Sequence, residues 1–210
     1  AIAVNNGLAA VAGTTESANF PLQTAVQTTF GGGTSDALLT QLSANGQSLL
    51  FSTYLGGIGE DKGYDVAVDA NGNIYLTGDT FSSNFPTAVP LQANNMGNAD
   101  AFVARLNNQA LAYSTYLGGS DSDHGYAITT DGAGNAYIVG VTSSANFPSG
   151  TPLANSPGGD TDVFILKISN EGDDTLPPVA GSNLAGSAKE ASQVQLGPNE
   201  ELTFTIRLHN

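Results

Sequence analysis

The chain has 210 residues, of which 40% are hydrophobic and 11% are charged, and 19 acidic residues against 5 basic ones give it a formal net charge of −14. This negative field repels a phosphate backbone and leaves few basic side chains to contact one, so nucleic acid is excluded as an expected partner. The absence of cysteine excludes disulfides and thiolate zinc sites. The sequence contains no run of about 18 apolar residues, so no transmembrane helix is predicted.

One sequence unit occurs three times and fills most of the chain. Asn-Phe-Pro at residues 19–21 returns at 84–86 and 146–148, and Ser-Thr-Tyr-Leu-Gly-Gly at 52–57 is repeated without change at 114–119. Self-similarity at a fixed spacing is the signature of a repeat architecture, in which each unit is one supersecondary element. The predicted units are, with approximate bounds, residues 1–57, 58–119 and 120–170.

The first unit begins in the middle of the repeat. Residues 1–4 align with residues 65–68 of the second unit, and the Asn-Asn-Gly turn at 5–7 is two residues shorter than its counterpart. The lead-in to the first strand of this unit is therefore absent.

The second unit is complete and predicts four consecutive antiparallel strands. The Asn-Gly pair at 71–72 is typical of a two-residue hairpin turn between the first two strands, and Pro86 opposes continued central pairing in the loop before the third. The predicted strands are residues 64–69, 74–78, 100–106 and 110–116. Four such strands in about 60 residues describe one blade of a β-propeller.

Side chains alternate between the two faces of the third predicted strand. One face is expected to carry Ala101, Val103 and Arg105, and the other Phe102, Ala104 and Leu106. The phenylalanine of each Asn-Phe-Pro motif is expected to anchor its loop against a blade, and the repeated tyrosines are expected to pack between blades.

The third unit follows the pattern through a strand predicted at 162–168 and leaves it at 170–172. Its fourth strand is therefore missing, and eleven strands are predicted in sets of four, four and three. The sequence thus predicts an all-β fold of β-propeller-type blades. Because propellers have about four to eight blades, three blades leave two apolar faces that need a cover.

The order of motifs along the unit resembles the bacterial β-propeller repeat called SBBP. Its elements are Ser-Thr-Tyr-Leu-Gly-Gly, an acidic loop, Gly-Tyr, a Val-Asp strand, Gly-Asn-x-Tyr, Asn-Phe-Pro and Asp-x-Phe-Val-x-Lys/Arg-Leu, over residues 1 to about 170. The resemblance implies a bacterial or archaeal protein that is secreted or exposed on the cell surface, and it implies no catalytic residues. We therefore expect an extracellular location and no enzymatic activity.

Residues 171–190 are a predicted linker, because Gly, Ser, Pro and acidic residues replace the strand pattern there. Residues 191–210 are a predicted β tail, similar to the start of an immunoglobulin-like repeat of bacterial surface proteins. The residues of its apolar edge, which we expect to serve assembly, are Leu202, Phe204, Ile206 and Leu208. The tail either folds back to complete the third blade, pairs with the open edge of a neighbouring subunit, or begins a further domain.

Two loops carry oxygen ligands at spacings that resemble part of a calcium loop. Asp69, Asn71 and Asn73 alternate after the first strand of the second unit, but no acid stands at the twelfth position. Asp121 and Asp123 follow Leu-Gly-Gly in the third unit. A hairpin turn explains the first loop and solvated acids explain the second, so no cofactor is expected, although both patterns are compatible with calcium.

These features favour a structural or adhesive building block, which assembles through its blade faces and by strand addition into a filament or surface layer. The expected partners are further copies of the chain or further domains of the same polypeptide. The alternative is a carbohydrate-binding or carbohydrate-cleaving propeller that uses loop carboxylates. Those carboxylates belong to Glu60, Asp61, Asp121 and Asp123. No metal site is predicted at His124 or His209, because neither has a second clustered ligand.

Overall fold

A computed structural model describes residues 1–148 and 160–169 of the chain. All regular secondary structure in these residues is β-strand and none of it is helix, which confirms the all-β prediction. The strands are β1 (Ile2–Asn5), β2 (Leu8–Thr15), β3 (Asp36–Leu42), β4 (Leu49–Leu55), β5 (Asp61–Val68), β6 (Ile74–Thr80), β7 (Asp100–Asn107), β8 (Ala110–Leu117), β9 (Asp123–Thr130), β10 (Ala136–Thr142) and β11 (Asp162–Ile168).

The strands form three antiparallel sheets in chain order, which we call the first, second and third blades. The first blade contains β1 to β4, the second β5 to β8 and the third β9 to β11, and each strand pairs with its neighbours in sequence. Meanders of this kind are the blades of β-propellers. The eleven strands in the described residues confirm the eleven that were predicted. Within residues 1–148 and 160–169 the third blade has three strands, and the three sheets do not close into a ring.

The first strands of the second and third blades each pack against the preceding blade. Strand β5 contacts β1, β2 and β3, and strand β9 contacts β5, β6 and β7. We call the contact between the first and second blades the first seam and that between the second and third blades the second seam. Each seam is filled by one hydrophobic cluster.

The predicted alternation in β7 assigns its two faces to the two seams. Phe102, Ala104 and Leu106 belong to the cluster of the first seam, and Ala101 and Val103 belong to the cluster of the second. All five side chains are at most 2% exposed. The second blade is therefore apolar on both faces and buried on both, as expected for a blade inside an array.

The hairpin turn of the second blade is longer than the predicted two-residue turn. The Asp69 carboxylate accepts hydrogen bonds from the backbone N–H groups of Asn71 and Asn73, both at 2.9 Å, and so holds a wider loop. A two-residue turn occurs in the first blade instead. There Asn6 and Gly7 have φ angles of 50° and 78°, which is the left-handed pair that a type I′ turn needs.

The Asn-Phe-Pro loops are anchored to the blades by their phenylalanines. Phe85 is 3% exposed, and its ring centroid lies 4.5 Å from that of Phe102. The ring centroids of Phe147 and Phe164 are likewise 4.6 Å apart. The Tyr116 hydroxyl accepts the backbone N–H of Phe85 at 2.7 Å. The corresponding phenylalanine of the first blade is half-buried.

Candidate functional site

The outer face of the first blade, which we call the leading face, carries exposed apolar side chains on β1. Ile2 is 66% exposed and Val4 is 67% exposed. The residues aligned with Ile2 in the other blades are covered by a neighbouring blade, since Val66 is 4% exposed at the first seam and Ile128 is 6% exposed at the second. One repeat position is thus buried twice and open once.

The outer face of the third blade, which we call the trailing face, shows the same contrast. Val139 and Ile165 are cross-strand partners in β10 and β11, and they are 38% and 39% exposed. The corresponding partners in the second blade are Thr77 and Val103, which are 0% and 1% exposed. In the second blade this surface is covered by the third blade. In the third blade the equivalent surface is exposed.

The leading and trailing faces are complementary because of the repeat. Within each seam, a trailing face of one blade covers a leading face of the next. An apolar side chain left in water forfeits roughly 1.5 to 3 kcal/mol relative to full burial. Contiguous apolar faces of this kind normally mark an interface.

Buried carboxylates join the blade ends at the first seam. Asp61 is fully buried, and it accepts hydrogen bonds from the backbone N–H of Gly57 at 2.7 Å, from Ser82 Oγ at 2.8 Å and from the Thr80 hydroxyl. Burial, reinforced by the nearby charge of Asp36, raises the pKa of Asp61 to about 6 against the hydrogen bonds, which lower it. This carboxyl gains a proton in mildly acidic solution.

The second seam repeats the arrangement. Asp100 is fully buried and accepts a hydrogen bond from Gln92 Nε2 at 2.6 Å, and burial, with a contribution from the charge of Asp123, raises its pKa to about 6. Asp123 accepts hydrogen bonds from the backbone N–H of Gly119 and from Ser144 Oγ, both at 2.8 Å. Burial also raises the pKa of Asp123.

The repeated Leu-Gly-Gly motif leaves room for these carboxyl pairs. A Cβ atom on Gly56 would lie 2.6 Å from Cγ of Asp36 and 2.8 Å from Oδ2 of Asp61. The same crowding recurs at Gly118 with the carboxyl pair of the second seam. A side chain at this glycine would collide with the two carboxyl groups, so the glycine and the acids occur together in the repeat.

The four loop acids of the carbohydrate hypothesis do not form one group. Asp61 and Asp123 are fully buried and belong to different seams. Glu60 forms an ion pair with Lys62 at 2.9 Å, and Asp121 is exposed. The structure thus separates the carboxylates that the hypothesis would combine.

The first calcium candidate is built as a closed turn. Besides the two backbone N–H groups, Asn73 Nδ2 and the Tyr75 hydroxyl donate to Oδ2 of Asp69, at 2.7 and 3.1 Å. Among the described residues, no group of three or more His, Cys, Asp or Glu side chains is placed to hold a metal ion. Calcium at Asp69, Asn71 and Asn73, or at Asp121 and Asp123, stays a prediction.

The predicted linker at 171–190 and the predicted tail at 191–210 lie outside the described residues. The same holds for the assembly residues Leu202, Phe204, Ile206 and Leu208. Strand exchange by the tail and its similarity to an immunoglobulin-like repeat therefore stay predictions.

Sequence analysis missed a polar cluster at the second seam. Nδ1 of His124, in the third blade, lies 2.5 Å from Oδ2 of the buried Asp79 in the second blade. The Tyr64 hydroxyl donates to the same oxygen at 2.8 Å. The available signal was that Asp79 and His124 both depart from the repeat, since Thr14 and Lys62 stand at the corresponding positions.

Comparison with known families agrees with the blade pattern. Residues 50–86 and 112–148 match the SBBP family, which is described as a beta-propeller repeat. Each match runs from the last strand of one blade to the Asn-Phe-Pro loop of the next. No curated protein matches the chain. Residues 1–148 and 160–169 contain no apolar helix of membrane-spanning length.

Proposed function

We propose that this chain, which carries SBBP β-propeller repeats, is a non-catalytic building block outside the cell that assembles with further copies of itself through its blade faces. The observation that carries the proposal is the pair of open faces. Ile2 and Val4 are 66% and 67% exposed on the leading face, and Val139 and Ile165 are 38% and 39% exposed on the trailing face. The extracellular location rests on the resemblance to SBBP proteins.

The trailing face of one copy is expected to cover the leading face of the next. Such a head-to-tail contact closes into a ring when the rotation between copies permits it, and otherwise extends into a filament. Two copies with three blades each supply six blades, within the range of about four to eight that propellers use. The outer edge of β11 has no partner strand in the described part of the chain, which supports strand addition as a second contact.

The proposal is tested with one lysine on each face. Val4→Lys charges the leading face and Ile165→Lys charges the trailing face. Met96→Lys is the matched control, because Met96 is an apolar residue, 58% exposed, in the loop between β6 and β7. We expect light scattering to report assemblies for the original protein and for Met96→Lys, and monomers for each face variant alone.

Mixing the two face variants tests the head-to-tail arrangement. The Val4→Lys chain keeps an intact trailing face and the Ile165→Lys chain keeps an intact leading face, so the mixture is expected to form dimers. A contact between two leading faces predicts instead that Ile165→Lys assembles by itself. A monomeric original protein, or a control that disrupts assembly as much as the face variants do, contradicts the proposal.

The carbohydrate hypothesis has less support as a proposal. Asp61 and Asp123 are buried and hydrogen-bonded at separate seams, so neither presents its carboxylate to a glycan. Its test is glycan binding or hydrolysis by the double variant Glu60→Gln and Asp121→Asn, which changes the two accessible acids. A loss of glycan binding in that variant would favour this function over assembly alone.

A further inference from the structure

A cleft of about 210 Å³ opens at the first seam, beside the hairpin turns of the first two blades. Its inner wall is apolar and includes Phe51, Ile74 and Leu106, which are 1%, 6% and 2% exposed. Its lip carries side-chain amides, among them those of Asn6 and Gln109. None of the described residues that line it is charged. Binding sites for small neutral molecules combine an apolar interior with a few polar groups in this way.

The corresponding space at the second seam is occupied by a tyrosine of the chain itself. Tyr75 is 3% exposed, and its hydroxyl donates to the carbonyl of Gly134 at 2.9 Å, across the seam, and to Oδ2 of Asp69 at 3.1 Å. The guanidinium of Arg105 lies over its ring, 5.6 Å from the centroid. The phenol therefore bridges the second and third blades.

The first blade lacks this tyrosine. Ala10 pairs with Gln41 across β2 and β3, as Tyr75 pairs with Arg105 across β6 and β7. The third blade keeps the aromatic and cationic pair, with Lys167 over the ring of Tyr137 at 5.5 Å. The first blade is the exception among the three.

The lining of the cleft follows from this exception. Gln41, the cross-strand partner of Ala10, lines the cleft, and so does Gly72. Gly72 is the counterpart, in the second blade, of the Gly134 that accepts the tyrosine hydroxyl at the second seam. The cleft thus opens where the repeat elsewhere contains a phenol ring.

We propose that the cleft at the first seam binds one neutral phenolic ring, supplied by a free phenol or by a tyrosine side chain of a partner. An apolar cavity of roughly 150 Å³ accommodates benzene, so about 210 Å³ holds a ring with its hydroxyl and one substituent. The ring packs against Phe51 and Ile74. Its hydroxyl donates to the carbonyl of Gly72, in the manner of Tyr75 at the second seam.

The experiment titrates the 210-residue protein with p-cresol by calorimetry, with toluene as the probe that lacks the hydroxyl. We expect p-cresol to bind at one site and toluene to bind at least tenfold more weakly. Ala10→Tyr fills the space with a covalent ring and is expected to abolish p-cresol binding. Ala133→Tyr, which adds a tyrosine at an exposed turn of the third blade, is the control and is expected to bind p-cresol normally.

A second variant keeps the test decisive if Ala10→Tyr does not fold. Gln41→Arg places a cationic side chain where the other two blades carry Arg105 and Lys167, and it leaves Ala10 unchanged. A cation over the bound ring is expected to raise the affinity for p-cresol roughly two- to fivefold. A purely structural cleft gives no such gain. Unchanged or weaker binding in Gln41→Arg contradicts the proposal.

The source of the ring is tested with a Gly-Tyr-Gly peptide beside p-cresol. Binding of p-cresol alone supports a free phenol as the ligand, and binding of both supports a tyrosine side chain of a partner. The proposal is overturned if neither binds, if toluene binds as tightly as p-cresol, or if methyl glucoside binds and p-cresol does not.

Discussion

Protonation of the seam carboxyls is expected to make the protein more stable in mild acid than at neutral pH. Asp61 lies at the first seam and Asp100 at the second, and burial raises the pKa of each from an ordinary value of 3.8 to about 6. Each of these two carboxyls therefore keeps, in the folded protein, a proton that the unfolded chain releases between about pH 4 and pH 6. Because the folded state binds more protons in this range, its stability falls as the pH rises.

The size of the effect follows from the pKa shifts. A shift of about two pKa units corresponds to roughly 3 kcal/mol for each group, and the loss proceeds at about 1.4 kcal/mol per pH unit and per group between the two pKa values. Glu60 and Asp131 oppose the trend, because their pKa values are lowered and their stabilisation increases with pH. That increase is nearly complete about one pH unit above their ordinary values of 4.5 and 3.8. The two buried groups therefore dominate the change in stability between pH 4.5 and 6.5.

Urea unfolding at half-unit steps of pH measures the effect. The Asp61→Asn variant removes one titrating group and keeps an oxygen that accepts from Gly57 and Ser82. We expect the unfolding free energy of this variant to fall less steeply with pH than that of the original protein. At pH 7 the variant is expected to be the more stable of the two, because it no longer buries a charge at this position.

Glu60→Gln is the matched control, since Glu60 is the half-exposed neighbour of Asp61 and its pKa is shifted in the opposite direction. This control is expected to retain the steep fall. A stability that is constant or increases from pH 4.5 to 6.5, or a slope in Asp61→Asn equal to that of the original protein, refutes the argument that burial dominates at these carboxyls.

Two substitutions test how the blades are held together. Tyr116→Phe removes a buried hydroxyl that accepts from the N–H of Phe85 and donates to the carbonyl of Ser82. We expect it to lower the free energy of unfolding in urea by about 1 to 3 kcal/mol. An unchanged urea midpoint, or an equal loss in Tyr126→Phe at a half-exposed tyrosine, contradicts this expectation. Gly78→Ala places a Cβ against the carbonyl of Lys62 and the ring of Phe102. We expect this variant to lose the native fold and to show no cooperative transition on heating. The control Gly132→Ala adds a Cβ in open space and is expected to keep the transition. A native transition in Gly78→Ala would show that β5 and β6 can separate at low cost.

The structure of each blade follows from local sequence patterns. The repeat predicts four, four and three strands because each strand alternates with period two and each turn carries its own Gly, Asn or Pro. The assignment of Phe102 and Ala101 to opposite faces of β7 follows from the same period. The open faces are also implied, because a count of three blades leaves two ends.

The contents of the seams depend on which residues of different blades meet. The sequence suggests accessible loop acids at positions 61 and 123, but packing of one blade on the next buries them, and burial raises their pKa values. The pair of Asp79 and His124 joins residues 45 positions apart on separate blades. The cleft lined by Gln41 and Gly72 likewise lies between residues of two different blades. The sequence by itself determined the strands and the faces of their side chains, because those follow from neighbours along the chain. The tertiary structure decided which acids are buried, which of them are charged and where a cleft opens, because those follow from neighbours across a seam.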